Sequence, residues 1–346
     1  MAIVEGKMSR GLKKGGSAML SDTHSILEID AAAVASKIQD YIKQQVVEHG
    51  AEGVLIGLSG GIDSAVLGCL ASRALGSDKV VAEFLFDRDS EKSSETLAKC
   101  LAAYLGIRLE IRDIAPAMRN QGVYSPFIMH FVTWSRTFNR LIQHFYCFMF
   151  GENPFASSLR KGSNEFEVHR LKHIVFNLTV RHFVAGFDAR HIHRKKISHH
   201  RAEADNFLLI GAANRSESLV GWFVKDGIDD LYIQPLLGLY KTQVWQLAEF
   251  LKLPQEVRHQ TPSPDMMRGI TDEFGIGIPY PTLDIIFAGK EHGITGAELE
   301  ALGPTRKQIE LAIELNRISA WKRTTPHAEP PVTGYTNQGT DFQAAA

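Results

Sequence analysis

Eight consecutive residues, Gly57-Leu58-Ser59-Gly60-Gly61-Ile62-Asp63-Ser64, carry the sharpest chemical signal in this sequence. Ser59, Gly60 and Gly61 allow a tight turn without Cβ obstruction, so several backbone N–H groups can converge on one anion. A helical pattern starts directly afterwards, and its N-terminus adds positive potential at the same spot. Asp63 places a carboxylate where it would repel phosphate unless a cation lies between them, and magnesium is the natural bridge. The blander reading is a glycine turn capped by Ser or Asp. An apolar strand pattern directly before the loop weighs against it. No Lys follows the glycines, so this is not the GxxxxGK[ST] loop.

Other side chains are placed for the same chemistry. Glu217 follows a strand end, where ligands sit in open α/β sheets. Lys241 opens a helix, where its ammonium can neutralise phosphate charge. Glu217 has an ordinary alternative as a solvated carboxylate, and Lys225 one as plain surface charge. His191, His193, His199 and His200 invite a zinc reading. Histidines at i and i+2 do not share a helix face and no Cys is near, so basic, substrate-facing or exposed roles fit better.

The elements that must hold these residues follow from periodicity. Residues 25–49 have a helical spacing of apolar positions, and 54–58 (VLIGL) read as a buried parallel strand. Helix 64–75, strand 79–86, helix 93–105 and strand 107–111 continue the pattern. Strand, helix, strand, helix, strand at this spacing predicts an α/β fold with a doubly wound parallel sheet and right-handed crossovers. Residues 206–212 add a strand, 240–251 a helix, and 292–317 two short helices parted at Gly303-Pro304. Residues 113–187 are aromatic and helical in pattern, broken near Gly151 and Pro154, and show no chemistry of their own. The basic, Gly-rich stretch 1–24 lacks the apolar run of a signal peptide. It reads as a flexible tail, as does 331–346, leaving one domain over 25–330.

Bulk properties exclude several classes. A net charge of −1 asks for neither nucleic acid nor anionic lipid, so anion binding must come from local placement. Cys69, Cys100 and Cys147 form no CxxC pair, which fits structural thiols in a reducing cytoplasm. The most membrane-like stretch, 127–150, is interrupted by Arg136, Asn139, Arg140 and Gln143, and charges at bilayer depth are costly. It reads as a buried or partner-facing helix.

The glycine loop resembles the PP-loop of enzymes that split ATP into AMP and pyrophosphate. Three further runs narrow the resemblance to the NAD synthase family. They are Leu208 onward (LLIGAANRSESLVGWFVK), Pro235 onward (PLLGLYKTQV), and Thr261-Pro262-Ser263-Pro264-Asp265 with Thr271-Asp272-Glu273. A fourth, Lys322-Arg323 with Pro326, is similar to the family's C-terminal KRxxP. The resemblance implies an adenine nucleotide alpha hydrolase-like fold. It implies that Gly57 to Ser64, Arg88, Lys241 and Ser263 contact ATP, with Asp63 and Lys241 catalytic. Asp63 and Glu217 would hold magnesium. Arg190, Lys225, Asp230, Trp321 and Lys322 would contact deamido-NAD. The chain departs from the family at Ala212, where many relatives have Thr. It departs again at Ala189-Arg190-His191-Ile192-His193, which lacks a second Arg, and at Trp321, which replaces a His.

The reaction implied is ATP-dependent amidation of nicotinic acid adenine dinucleotide through an acyl-adenylate. No protein nucleophile is needed, only alignment and charge stabilisation. Glutamine-using relatives carry a long extra N-terminal domain. With 56 residues before Gly57, free ammonia is the expected donor, unless a separate glutaminase supplies it. A homodimer is implied, with 127–150 as the candidate contact. Two rival readings remain at this stage: the same adenylation with another acceptor such as a tRNA base, and a non-catalytic nucleotide-binding regulator.

Overall fold

The computed structural model describes residues 26–131, 136–166, 170–264 and 269–332. The expected tails therefore lie outside the described residues, apart from Pro331 and Val332. So do Ser25, Asp265 and part of the 127–150 stretch.

Helix α1 (Ala31–Glu48) starts six residues later than its periodicity suggests. Asp30 stops it there, because its carboxylate caps the amides of Ala32 and Ala33 at 3.1 and 3.0 Å. Val34, Ile38, Ile42 and Val46 recur every fourth residue and are buried as one stripe. Strand β1 (Gly53–Gly57) runs into the glycine loop and then α2 (Ile62–Leu75). Strand β2 (Val80–Phe86), α3 (Lys92–Leu105) and β3 (Arg108–Asp113) follow. Short helices lead to α4 (Arg136–Phe150), α5 (Pro154–Gly162), α6 (Arg170–Leu178) and the 25-residue α7 (Val180–Ala204). The expected helical character of 113–187 is thus present. The chain then returns as β4 (Phe207–Ile210), followed by α8 (Arg215–Val220) and α9 (Lys241–Phe250). The C-terminal part holds α10 (Asp272–Ile276), α11 (Tyr280–Glu291), α12 (Gly296–Ala301) and α13 (Arg306–Ile318).

The strands form a parallel sheet in the order β3-β2-β1-β4. Winding proceeds from β1 through β2 to β3, and then resumes on the other side of β1 at β4. The carboxyl ends of β1 and β4 are therefore a topological switch point, the place where open α/β sheets bind ligands. Alternation along the strands divides the core. Val54, Ile56, Val80, Ala82 and Ile210 pack against α1, α2, α3 and α9, whereas Leu55, Val81 and Leu209 cluster with Ala202 of α7 and Leu231. A second core joins α8, α11 and α13 through Leu219, Val220, Leu283, Phe287 and Leu315. That packing fixes α8, and so Glu217, above the sheet's carboxyl edge.

Candidate active site

The glycine loop closes on itself. Gly60 adopts φ +82°, and a Cβ there would come within 2.9 Å of the Ser94 carbonyl oxygen, so only glycine fits without strain. The Gly61 amide donates to Ser59 Oγ (3.2 Å), and Ser64 Oγ donates to the Gly61 carbonyl (2.9 Å). No side chain caps the N-terminus of α2. Its first-turn amides thus keep their capacity for an external anion.

Opposite the loop, Lys241 is buried to 1% exposure at the first residue of α9. Its Nζ lies 2.5 Å from Asp63 Oδ2 and 3.0 Å from Glu217 Oε1. Tyr280 OH bridges Glu217 Oε1 (3.2 Å) and Asp272 Oδ2 (3.1 Å), adding a third carboxylate. Burial works against the Lys241 charge, but Asp63, Glu217 and Asp272 together hold the ammonium above its usual range. Burial pushes Glu217 up to about 7, with Lys241 pulling the other way and Asp63 and Asp272 adding repulsion. Asp272 is also raised, mainly by burial. One cation shared by three crowded acids is the defining electrostatic feature here.

Supporting residues place these groups. Asn214 caps α8 by accepting from the Glu217 amide (3.0 Å), while its Nδ2 donates to Asp63 Oδ1 (3.0 Å). The Lys241 amide donates to Ser216 Oγ (2.8 Å), which donates to Asp284 Oδ1 (2.5 Å). Asp284 also accepts the Thr242 amide (2.9 Å), so it stabilises the start of α9 from a fully buried position, and burial raises its carboxyl to about 6. Arg215 pairs with Glu291, and Tyr240 OH donates to the same carboxylate (2.7 Å).

These groups face a cavity of about 480 Å³. Gly57, Leu58, Ser59, Gly61, Ile62, Asp63, Ser64, Glu217, Lys241, Ser263 and Lys322 all line it, as does Ala212. A Cβ on Gly57 would meet nothing within 4 Å, so that backbone is open to a ligand. Several expected contacts lie elsewhere. Arg190 is 1% exposed and does not line the cavity; its guanidinium is taken up by Asp87 (2.5 Å) and Asp89. Arg88 pairs with Asp89 (2.8 Å) and stacks on Tyr124 at 4.0 Å. Asp230 is buried and accepts from His327 (2.8 Å) and the Asp226 amide (2.7 Å). Lys225 Nζ donates to Thr324 Oγ1 at the surface (2.5 Å), and Trp321 Nε1 donates to the Leu159 carbonyl (3.2 Å). Each of these five therefore has a protein partner in place of a cavity face. Of the four histidines, His191 lines the cavity, paired with Asp229 at 2.6 Å.

Asn214, Tyr280 and Asp284 escaped the sequence reading, and Asp272 was noted there without a role. The first and last of these had a signal: Asn214 precedes Arg-Ser-Glu as a helix cap, and Asp272 sits in the Thr-Asp-Glu run. Tyr280 and Asp284 had none, because nothing in the sequence of their helix, YPTLDIIFAGKE, ties it to the glycine loop.

Comparison with known proteins supplies the family. The family model described as NAD synthase matches residues 34–125 and 162–326. The NH(3)-dependent NAD(+) synthetase of Coprothermobacter proteolyticus is 34% identical over 281 residues, covering 80% of this chain and 90% of that protein. Its counterpart from Thermotoga maritima is 31% identical, covering 80% and 94%. Among solved structures, an NMN synthetase from Francisella tularensis superposes with a TM-score of 0.61 at 22% identity, covering 87% of this chain and 99% of that one. An NH3-dependent NAD synthetase from Campylobacter jejuni gives 0.56 at 21% identity, covering 87% and 99%, and these two bear on the fold alone. A glycine loop aimed at a lysine between acids, at the switch point of this sheet and in a chain so matched, has one reading: the chain belongs to the NAD synthase family.

Proposed function

We propose that the chain is an ammonia-dependent NAD synthase acting at the cavity described above. It is a ligase that joins ammonia to the carboxylate of deamido-NAD at the expense of ATP. The observation that carries this reading is Lys241, buried between Asp63 and Glu217 across from the open amides of the glycine loop. A carboxylate oxygen of the dinucleotide attacks the α-phosphorus of ATP. The bond to the bridging oxygen breaks, and pyrophosphate leaves with its charge held by the loop amides and the Lys241 ammonium. Ammonia then adds to the activated carbonyl, the bond to AMP breaks, and a nitrogen proton is lost to give the amide. No side chain forms a covalent bond, so rate comes from alignment and electrostatics.

Asp63 and Glu217 fit a magnesium ion. Both are hard oxygen donors that already converge on one cation, Lys241 Nζ. Among the described residues no group of three or more His, Cys, Asp or Glu forms a complete metal cage. Two carboxylates completed by phosphate oxygens and water are an ordinary magnesium set. When bound, the ion would offset phosphate charge. Lys322 lines the cavity and is our candidate for a dinucleotide contact; Arg190, Lys225, Asp230 and Trp321 would support that side indirectly through the partners named above.

We also propose a homodimer in the cytoplasm fed by free ammonia, with a separate glutaminase as the alternative donor. The outer face of α4 supports the dimer, because Leu141, Phe145 and Phe148 are 63%, 63% and 85% exposed at i, i+4, i+7 spacing. No helix among the described residues is long and apolar enough to cross a membrane.

The deciding assay follows pyrophosphate release with ATP, magnesium and ammonia, with and without the dinucleotide. Release that requires the dinucleotide and is matched by NAD supports the proposal. Turnover only with another acceptor, or tight ATP binding without turnover, defeats it. Sedimentation of wild type against Phe148→Ser tests the dimer, and an unchanged monomer in both defeats that part.

A further inference from the structure

Residues 126–161 fall between the two stretches matched by the family model, yet they build a wall of the cavity. Asn139, Ile142, Gln143 and Tyr146 recur at i, i+3, i+4, i+7 on α4 and line it. Three side chains of the same segment donate to α10 and to the turn just before it. Arg140 Nε donates to the Gly269 carbonyl (2.8 Å), and Gln143 Nε2 to that of Phe274 (3.1 Å). Asn153 Nδ2 donates to both Gly275 and Ile276 carbonyls, each at 3.1 Å.

The main target is α10, whose five residues cannot satisfy their own C-terminal carbonyls. Side chains from the unmatched segment supply the missing donors. At the other end of α10, Asp272 enters the Lys241 cluster through Tyr280, and its amide donates to the Pro262 carbonyl (3.0 Å), next to Ser263. The chain of contact therefore runs from the unmatched segment, through α10, to the acids and to the Ser263 loop of the cavity.

We propose that this segment is a brace, with Asn153 and Gln143 as positioning residues that fix α10, and so Asp272 and Ser263, on the nucleotide side of the cavity. The inference rests on reading that side as the ATP site. Asn153 offers a clean test because its two ends do different jobs. Its Oδ1 caps α5 by accepting the Ala156 amide (2.7 Å), while Nδ2 makes the brace. Aspartate caps a helix as well as asparagine does but has no amide donor.

Asn153→Asp should keep the α5 cap and lose only a few degrees of melting temperature, raise the KM for ATP about tenfold for two lost hydrogen bonds, and leave the KM for the dinucleotide within about twofold. Hydrogen exchange should quicken at the amides of Phe274, Gly275 and Gly277 and stay unchanged in β1 and β2. Gln143→Met should move both readouts in the same direction. Unchanged exchange at α10, faster exchange spread over the whole sheet, or equal rises in both KM values would overturn the brace. Should wild type not turn over the dinucleotide at all, the functional reading fails instead, and exchange alone then decides the brace.

Discussion

Replacing Lys241 with methionine is the severest test of the electrostatic account. The substitution keeps volume and removes the cation that Asp63 and Glu217 share at 2.5 and 3.0 Å. At an effective dielectric near 20, a pair about 3 Å apart attracts by roughly 5 kcal/mol before desolvation is counted. Stripping one partner from a buried pair costs about 3–5 kcal/mol, because the remaining charge is left uncompensated. Here the lower end applies. The Asp63 and Glu217 side chains are 18% and 17% exposed, and Glu217, already raised to about 7, can take up a proton. A loss of roughly 3 kcal/mol should lower Tm by about 4 °C in a chain of this size. Two dependences identify the cause. The deficit should be larger at pH 8 than at pH 6, where a protonated Glu217 removes one charge. It should also shrink on adding magnesium, which compensates the same carboxylates, by more than wild type gains. Turnover should fall about a thousandfold, the scale of losing a charge-stabilising group. Differential scanning calorimetry at both pH values, with and without magnesium, gives the answer. A Tm deficit indifferent to pH and magnesium would refute the claim that Lys241 neutralises these acids.

Three further outcomes follow from the geometry. Gly60→Ala forces a Cβ into the left-handed region, 2.9 Å from the Ser94 carbonyl, and should cost about 1–3 kcal/mol and abolish ATP binding measured by calorimetry. Burial lowers the Lys322 ammonium to about 8, against the pull of Asp188, Asp229 and Asp230. It is charged below that pH, so the KM for the anionic dinucleotide should rise as pH passes 8, and Lys322→Ala should flatten that limb. The same depressed value means stability should increase between pH 8 and the ordinary lysine range, since the unfolded chain then binds the extra proton. Arg190→Ala should act on stability, by about 3 kcal/mol in denaturant unfolding, because it takes the buried cation from Asp87 and leaves Asp89 to Arg88 alone. If it raised the dinucleotide KM with stability intact, the buried ion-pair role would be wrong.

The phosphate loop was legible because its demand is local. A positive φ, a missing Cβ and a helix start all lie within eight residues, so residue type alone implies geometry. The centre of the sheet was legible for a similar reason, since β1 and β2 are buried and read as apolar runs, whereas the edge strand β3 is largely exposed and carries charges. Boundaries moved where capping chemistry decided them, as Asp30 does for α1. What could not be read was pairing across long separations. Asp284 lies 68 positions from Ser216 and 178 residues part Lys241 from Asp63, and periodicity says nothing about such contacts. Arg190 shows the opposite hazard. It stands at the expected position on α7, yet the turn after β2 carries two acids, Asp87 and Asp89, that claim it. Arg88, expected at ATP, is claimed by Asp89 as well.

If the glycine loop binds ATP as proposed, the charge balance of the Lys241 cluster gives it a way to recognise a polyphosphate without holding on to every anion. Asp63, Glu217 and Asp272 against a single ammonium leave the site acidic, and bare phosphate would be repelled from the amides that aim at it. The free protein relaxes this in two ways: Lys241 sits between the acids, and Glu217 is raised to about 7. A polyphosphate that arrives with a divalent cation reverses both. On the proposed reading, such a cation would take over the neutralisation of Asp63 and Glu217, and Lys241, relieved of them, would become available to phosphate oxygens. Anions that bring no such cation meet the acids uncompensated. On the proposed reading, selectivity for a metal-bound triphosphate would be a property of the acid excess, and a site with two lysines in place of Glu217 and Asp272 would bind phosphate more tightly and distinguish it less.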